Sequence, residues 1–331
     1  MHTFSVVIAT RNRQALLSRT LDSLASQDWP ADRLEVIVAD NGSTDATADV
    51  VTAFGRRRGA PLVRYLFVPQ PGKSAAVNQA LAIATGDLLA LTDDDVQAEP
   101  AWLTRLAAAF DETGAHFIAG RVKPLWESAP PDWLPPSLYG VLAVPENGDQ
   151  RLPIDAASPR VMPIGANMAI RREVVLRIGG LRADLGKLDG SLRTGEDHEF
   201  FLRMLRAGFN GAYEPTAVVH HRVGAERLQR GYFRQWLHQN GRDVARLNRS
   251  YAQSAVPSLL RTPRYLWREA LVDGAAAIGA AVRGHQAKRF EATSRLLWFA
   301  GYVRQAWFGP QTEVRSGAAG AAESPLAPQA N

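Results

Sequence analysis

Leu88-Leu89-Ala90-Leu91-Thr92-Asp93-Asp94-Asp95-Val96 joins a short apolar run to three consecutive carboxylates. A run of that length, bounded by a polar break, reads as a buried strand carrying charge to the edge of a sheet. Three adjacent Asp side chains repel one another, and burying them unpaired costs on the order of several kcal/mol. Two arrangements relieve that cost. A hard divalent cation could meet oxygen ligands here. Alternatively the stretch is a solvated acidic turn, with Asp95 capping a helix that runs through Trp102 and Leu106. Taken alone, the stretch leaves both open.

Upstream, Phe4-Ser5-Val6-Val7-Ile8-Ala9 reads as a buried strand that breaks at Thr10-Arg11-Asn12-Arg13. A helix with Leu16, Leu17, Leu21 and Leu24 on one face follows. Leu34 to Ala39 is a second strand, ending in the tight turn Asp40-Asn41-Gly42-Ser43-Thr44-Asp45. A helix through Val50, Val51 and Phe54, a strand over Leu62–Leu66, and a helix opened by Gly72-Lys73 lead back to Leu88. Apolar strands alternating with helices predict an α/β fold with a mainly parallel sheet covered on both faces. Ligands of such sheets lie beyond the carboxyl ends of the strands. Three of these ends are polar: Thr10 to Arg13, Asp40 to Asp45 and Asp93 to Asp95. Their convergence on one edge favours a ligand.

The 331 residues exceed one average domain. With no cysteine, a disulfide framework, a thiolate zinc site and a Cys nucleophile are excluded. Met1-His2-Thr3-Phe4 enters the first strand without the basic and apolar regions of a signal peptide, so a cytoplasmic setting is expected. Charge is unevenly placed. Residues 1–201 carry 20 Lys and Arg against 25 Asp and Glu, whereas residues 202–310 carry 17 against 6. A basic segment behind an acidic one suits a phosphate-bearing lipid or an anionic membrane face, here the inner face of the cytoplasmic membrane. No nucleic-acid partner is expected, because no binding motif accompanies the arginines. Gly-x-Gly-x-x-Gly is absent after the first strand, and Gly72-Lys73-Ser74 lacks the upstream glycine of a phosphate loop.

Thr-Arg-Asn-Arg at 10–13, Val-Ala-Asp-Asn-Gly-Ser-Thr-Asp at 38–45, Gly-Lys-Ser-Ala-Ala-Val-Asn-Gln-Ala at 72–80 and Thr-Asp-Asp-Asp at 92–95 occur in this order. That set resembles family 2 glycosyltransferases over about residues 4–223. The resemblance implies an inverting enzyme of the GT-A fold, a Rossmann-like sheet flanked by helices, using a nucleotide-sugar donor. It implies that Asp40 reads the nucleobase, that Thr10 and Arg11 line the nucleotide, and that Lys73 and Asn78 lie near the diphosphate. Asp93 and Asp95 match the family's Asp-x-Asp, of which one touches the ribose and the other binds Mn²⁺ or Mg²⁺. Because the middle residue is also Asp, Asp94 stands beside them as a nucleotide or metal contact. Pro163 to Ile170 resembles the segment beside the donor sugar, with Asn167 offering donors and acceptors to hydroxyls.

Gly195-Glu196-Asp197 matches the family's Glu-Asp motif. An inverting transfer needs one carboxylate to take the acceptor's proton; the resemblance implies Asp197 for that role, with Glu196 assisting. A plain helix N-terminus would also collect these carboxylates. At His220-His221 the resemblance implies a further metal ligand. Neighbours on a strand point oppositely, so only one faces the site, and His220 is taken as that one.

Residues 125–160 break every periodicity, with Trp126, Trp133 and Tyr139 among prolines, and are expected to form an acceptor flap whose rings stack on sugar. Residues 224–310 read as a basic helical region in which Trp and Tyr mixed with Arg suit peripheral membrane contact. No apolar run reaches the length of a membrane span. Residues 311–331, rich in Ser, Gly, Ala and Pro, are expected to be disordered. The expected activity is transfer from a UDP-sugar to a carbohydrate or glycolipid acceptor in glycan or polysaccharide synthesis. A sugar nucleotidylyltransferase would need a Gly-rich first loop, and Thr10 to Arg13 has no glycine. A non-catalytic sugar-nucleotide or membrane-binding module would not need Glu196-Asp197.

Overall fold

The computed structural model describes residues 1–157, 159–186, 192–251 and 257–309. The tail expected to be disordered lies outside them. The first half alternates as the apolar spacing predicts: β1 (Phe4–Thr10), α1 (Gln14–Ala25), β2 (Leu34–Asp40), α2 (Thr47–Gly55), β3 (Leu62–Phe67), α3 (Lys73–Ile83) and β4 (Leu88–Asp93). There follow β5 (Val96–Ala98), α4 (Trp102–Thr113), β6 (Phe117–Trp126), β7 (Leu152–Ile154), β8 (Met168–Arg171), α5 (Arg172–Ile178), α6 (Glu196–Arg206) and β9 (Gly211–Val223). After them come α7 (Arg230–Ser250), a small hairpin of β10 (Ser258–Leu259) and β11 (Thr262–Pro263), α8 (Arg264–Val282) and α9 (Gln286–Phe308).

The main sheet runs β3-β2-β1-β4-β8-β6-β9-β5, with β7 added against β9. β3, β2, β1 and β4 are mutually parallel; β8 runs against β4 and β6, and β6 runs parallel to β9. Successive side chains alternate faces, and both faces are apolar because both are covered. Phe4, Val6 and Ile8 of β1 join Leu17 and Leu21 of α1, Phe54 of α2 and Trp102, Leu106 and Phe110 of α4. Val7, with Leu89 and Leu91 of β4, joins Ala76 and Val77 of α3, Val174 of α5 and Phe200 and Met204 of α6. The predicted α/β sandwich with C-terminal helices is therefore present.

Three details differ from expectation. Asp95 caps no helix: the chain continues as β5, and α4 starts at Trp102 behind Ala101. The segment expected as a flap is packed into the molecule. Leu134, Leu138, Val141 and Leu142 are buried in the first core, Trp126 meets Tyr139, and Trp133 meets Phe233 and Phe290 edge to face. Trp126, Trp133 and Tyr139 gain from these contacts while each keeps part of its surface exposed. Residue 223 ends β9 but not the core, since Phe233 and Leu237 of α7 belong to the same cluster as Phe4 and Val6. The tryptophans of the last helices likewise pack together, Trp267 against Phe299 and Trp298 against Tyr302. No helix among the described residues is long and apolar enough to cross a membrane.

Candidate functional site

Parallel register levels the strand ends. Thr10 lies opposite Asp40, and Ala9 opposite Asp93, so the three polar strand ends share one edge. The loops beyond them are stitched together. Asn12, with φ 53°, accepts from the Thr44 N–H through Oδ1 (2.7 Å), and its own N–H donates to Ser43 Oγ (2.8 Å). Asn41 donates to the carbonyls of Val68 and Gln70 and accepts from the Gly72 N–H (2.8 Å), which sets the entry to α3.

The three aspartates separate by direction. Asp93 shares the face of Leu89 and Leu91, the face that α3 and α6 cover, and pairs with the Lys73 ammonium at the first turn of α3. Asp94 is buried: its Oδ2 accepts from Thr10 Oγ1 (2.8 Å) and its Oδ1 from the Arg13 guanidinium (3.0 Å). Burial raises its pKa against the pull of Arg13, with Asp95 adding to the rise, and leaves it at about 6. Asp95 faces outward, also receives Arg13 (3.0 Å), and lies 3.4 Å from His221 Nε2. Asp94 is not among the grouped ligand atoms described below; its carboxylate holds Thr10 and Arg13. Arg13 bridges two of the three carboxylates, a role that its place in a polar loop did not reveal.

Asp93, Asp95 and His221 present ligand atoms within 4.8 Å of one another. His221, not His220, faces this edge. His220 Nε2 instead meets Glu99 (3.0 Å). The cause is a register break: Gly120 lies opposite Glu214 but Arg121 opposite Val218, which inserts Pro215-Thr216-Ala217 into β9. Pro215 has no N–H for the ladder, and an odd insertion reverses which neighbour faces a given side. Two carboxylates and an imidazole suit Mn²⁺, and they would also admit Mg²⁺ less well because of the nitrogen. Donor atoms this close together would hold one ion, so the residues present fit the group.

Glu196 and Asp197 open α6 on the same side of the sheet. Gly195 before them has φ 112°, a left-handed conformation that favours glycine. Asp197 Oδ2 accepts from the Gly165 N–H (2.8 Å), and the Glu196 carboxyl packs against Gly186. Burial alone would lower the pKa of Lys73, but the charges of Asp93, Asp197 and Glu196 outweigh it and raise it. Lys73, paired with Asp93, therefore also feels the negative charge of the two carboxylates that open α6.

The other expected contacts divide. Asp40 is buried and accepts from the Ser43 N–H (2.8 Å) and from the Tyr65 hydroxyl (2.7 Å). Burial, then that hydrogen bond and charge, push the Tyr65 phenol up to about 12. Arg11 is exposed at the same edge. Two residues point elsewhere. Asn78 Nδ2 donates to the Leu181 carbonyl (2.6 Å) and its Oδ1 accepts from the Leu181 N–H (2.7 Å), fastening the loop behind α3. Asn167 is fully buried: its Oδ1 accepts from the Trp102 indole (2.9 Å), and its amide donates to the carbonyls of Arg121 (2.8 Å) and Ala217 (2.9 Å). These bonds tie α4, β6 and the inserted bend of β9 together at one buried side chain.

The family model "Glycosyl transferase family 2" matches residues 5–179. A succinoglycan biosynthesis protein, ExoM, from Rhizobium meliloti (strain 1021) is 32% identical over 240 residues, covering 71% of this chain and 72% of the relative. The fold is similar to that of mannosyltransferase PcManGT from Pyrobaculum calidifontis, solved with GDP-Man and Mn²⁺. That match has a TM-score of 0.64 at 22% identity, covering 92% of this chain and 87% of that one. It is similar also to S. aureus TarS 1-349 in complex with UDP-GlcNAc, with a TM-score of 0.55 at 17% identity over 89% and 90% of the two chains. The family model spans more than half of the chain and the GT-A-type sheet extends the likeness to most of it, so this protein belongs to glycosyl transferase family 2.

Proposed function

We propose that this chain transfers a sugar, with inversion, from a nucleoside-diphosphate donor, a UDP-sugar, to a hydroxyl of a glycan or lipid-linked glycan acceptor. The observation that carries the reading is the gathering of Asp93, Asp95 and His221 on one sheet edge, with Lys73 paired to Asp93 and raised in pKa also by the charge of Asp197 at the head of α6. In this reading Asp197 takes the acceptor's proton as the acceptor oxygen attacks the anomeric carbon. The bond from that carbon to the donor phosphate breaks, and the nucleoside diphosphate leaves with the electron pair. Gly165 holds the carboxylate in place through its N–H. Lys73 and Arg13 offer fixed positive charge beside the leaving diphosphate. Asp40 receives the imide N–H of the base, exchanging the Tyr65 hydroxyl for it. A divalent ion held by Asp93, Asp95 and His221 would supply Lewis-acid stabilisation of the diphosphate. A solved neighbour binds GDP-Man and another UDP-GlcNAc, so the donor class is supported by both and the base is the open choice that a screen decides.

The test is a screen of UDP-, GDP- and dTDP-sugars for nucleoside diphosphate release, with and without Mn²⁺. Asp197→Asn is expected to lower turnover by about 10²- to 10⁴-fold while donor binding, read by calorimetry, is kept. Near-normal turnover in that variant would remove Asp197 from the role of base.

A further inference from the structure

A second concave surface lies away from the donor edge, among the C-terminal helices. A cleft of about 650 Å³ opens between the start of α7 and the N-terminal half of α9. Its charged lining is Arg230, Arg234 and Arg289, without a carboxylate, and Phe290, Leu296 and Leu297 make it apolar alongside. Arg230 is seated over the rings of Trp133 and Phe290, 5.2 and 5.8 Å from their centroids. Arg234 and Arg289 make no side-chain hydrogen bond or ion pair with a described residue. Other arginines do find carboxylates: Arg13 on Asp94 and Asp95, Arg203 on Glu199, Arg295 on Glu291 and Asp273. Gathering three guanidinium groups without counter-charge costs mutual repulsion, and the half-buried leucines beside them keep some apolar surface in water. One ligand chemistry relieves both. Phosphate oxygens accept from guanidinium forks, and a hydrocarbon chain covers the leucines.

We propose that this cleft binds the phosphate or diphosphate of an anionic lipid. The arginines hold the phosphate, and Leu296 and Leu297 take the first part of the chain. The proposal deepens the acceptor reading, and rests on it only for the suggestion that a lipid carries the acceptor. The chain leaves β9 just past His221 and enters α7 at Arg230 within seven residues, so the arginines follow the candidate metal edge closely along the chain.

The experiment uses the full chain with sedimented vesicles of phosphatidylcholine, alone or with phosphatidylglycerol added, and calorimetry with pyrophosphate. Arg234→Glu/Arg289→Glu is compared with Arg264→Glu/Arg268→Glu, an equal charge reversal on exposed residues of α8 outside the cleft, and thermal melts confirm that both fold. Wild type is expected to bind only the anionic vesicles, with pyrophosphate competing. The cleft variant should lose at least about tenfold in affinity while the α8 variant stays within about threefold. Equal loss in both variants would mean diffuse surface charge and overturn the site. Pyrophosphate binding through these arginines without vesicle binding would overturn the lipid, and so would absence of both. Donor hydrolysis without acceptor, followed in parallel, reports the donor site alone; its presence with failed vesicle binding sinks this proposal and leaves the transferase reading standing.

Discussion

At the residue scale, His220 and His221 are chemically identical neighbours with different work. His221 is buried beside Asp95, and His220 is half-exposed on Glu99. His221→Ala should weaken Mn²⁺ binding by more than about tenfold, whereas His220→Ala should leave it nearly unchanged. Titration of Mn²⁺ followed by its electron paramagnetic resonance signal reads this directly, and the reverse pattern would exclude the Asp93–Asp95–His221 set. Glu35 on β2 is a residue of stability instead. Its Oε1 accepts from Ser5 Oγ (2.5 Å), the Thr85 N–H (2.6 Å) and Thr85 Oγ1 (2.8 Å), and Arg64 Nε is 3.2 Å from Oε2. Burial opposes its ionisation, but these partners outweigh burial and hold its pKa below the ordinary carboxylate value. A group depressed in the folded state contributes stability above its unfolded pKa and loses it as pH falls through the folded one. Glu35→Gln should therefore cost roughly 2 kcal/mol at neutral pH, and the gap to wild type should close on acidification below about pH 4. Urea melts across pH check both statements. A gap independent of pH would mean that packing, not charge, holds Glu35.

At the scale of elements, α7 positions the head of α6. Asp243 Oδ2 accepts from the Thr194 N–H (3.0 Å), Asn240 donates to Thr194 Oγ1 (3.0 Å), and Leu247 lies against Gly195. In the same first turn of α6, buried Glu199 receives Arg203 (2.8 Å) and the Tyr251 hydroxyl from the end of α7. The loop that delivers Glu196-Asp197 is thus framed by a helix that a motif search ends before. Asp243→Ala leaves the Thr194 N–H without its acceptor and should cost about 1 to 3 kcal/mol. Turnover should fall about ten- to hundredfold with the donor KM little changed, since small misplacement of a base acts on the chemical step. Asp243→Asn, which keeps an accepting oxygen, should recover most of the turnover. A loss confined to stability would mean that Asp243 only joins the helices.

At the scale of the whole molecule, α7 and α9 cross at two glycines. A Cβ on Gly241 would overlap the Trp298 carbonyl, and one on Gly301 the His238 carbonyl. Backbone meets backbone there, so no rotamer change can make room. Gly301→Leu should therefore destabilise by about 3 kcal/mol, near the upper end for overpacking, and loosen α9 first. Limited proteolysis, with cleavage appearing in α9 before the sheet, checks the order. A clean two-state melt without early cleavage would show that α9 and the sheet unfold together.

The alternation of apolar strands and helices, the polar strand ends at Thr10, Asp40 and Asp93, and the carboxylates at 196–197 were all legible in the chain. Each is written in neighbouring residues, and strand and helix periodicity are local properties. The directions of side chains at the edge were not. Which of Asp94 and Asp95 turns outward depends on Arg13 and Thr10, which reach them from another strand end. Which histidine faces them depends on three residues inserted at Pro215, whose effect is visible only against β6. Asn78 and Asn167 carry the chemistry of ligand contacts but meet backbone, because loops distant in sequence arrive there first. Of the aromatic rings of 125–160, Trp133 packs against Phe233 of α7 and Phe290 of α9, contacts that only the tertiary fold brings together. Local order determines which groups exist at the edge; long-range register and packing decide where each one points.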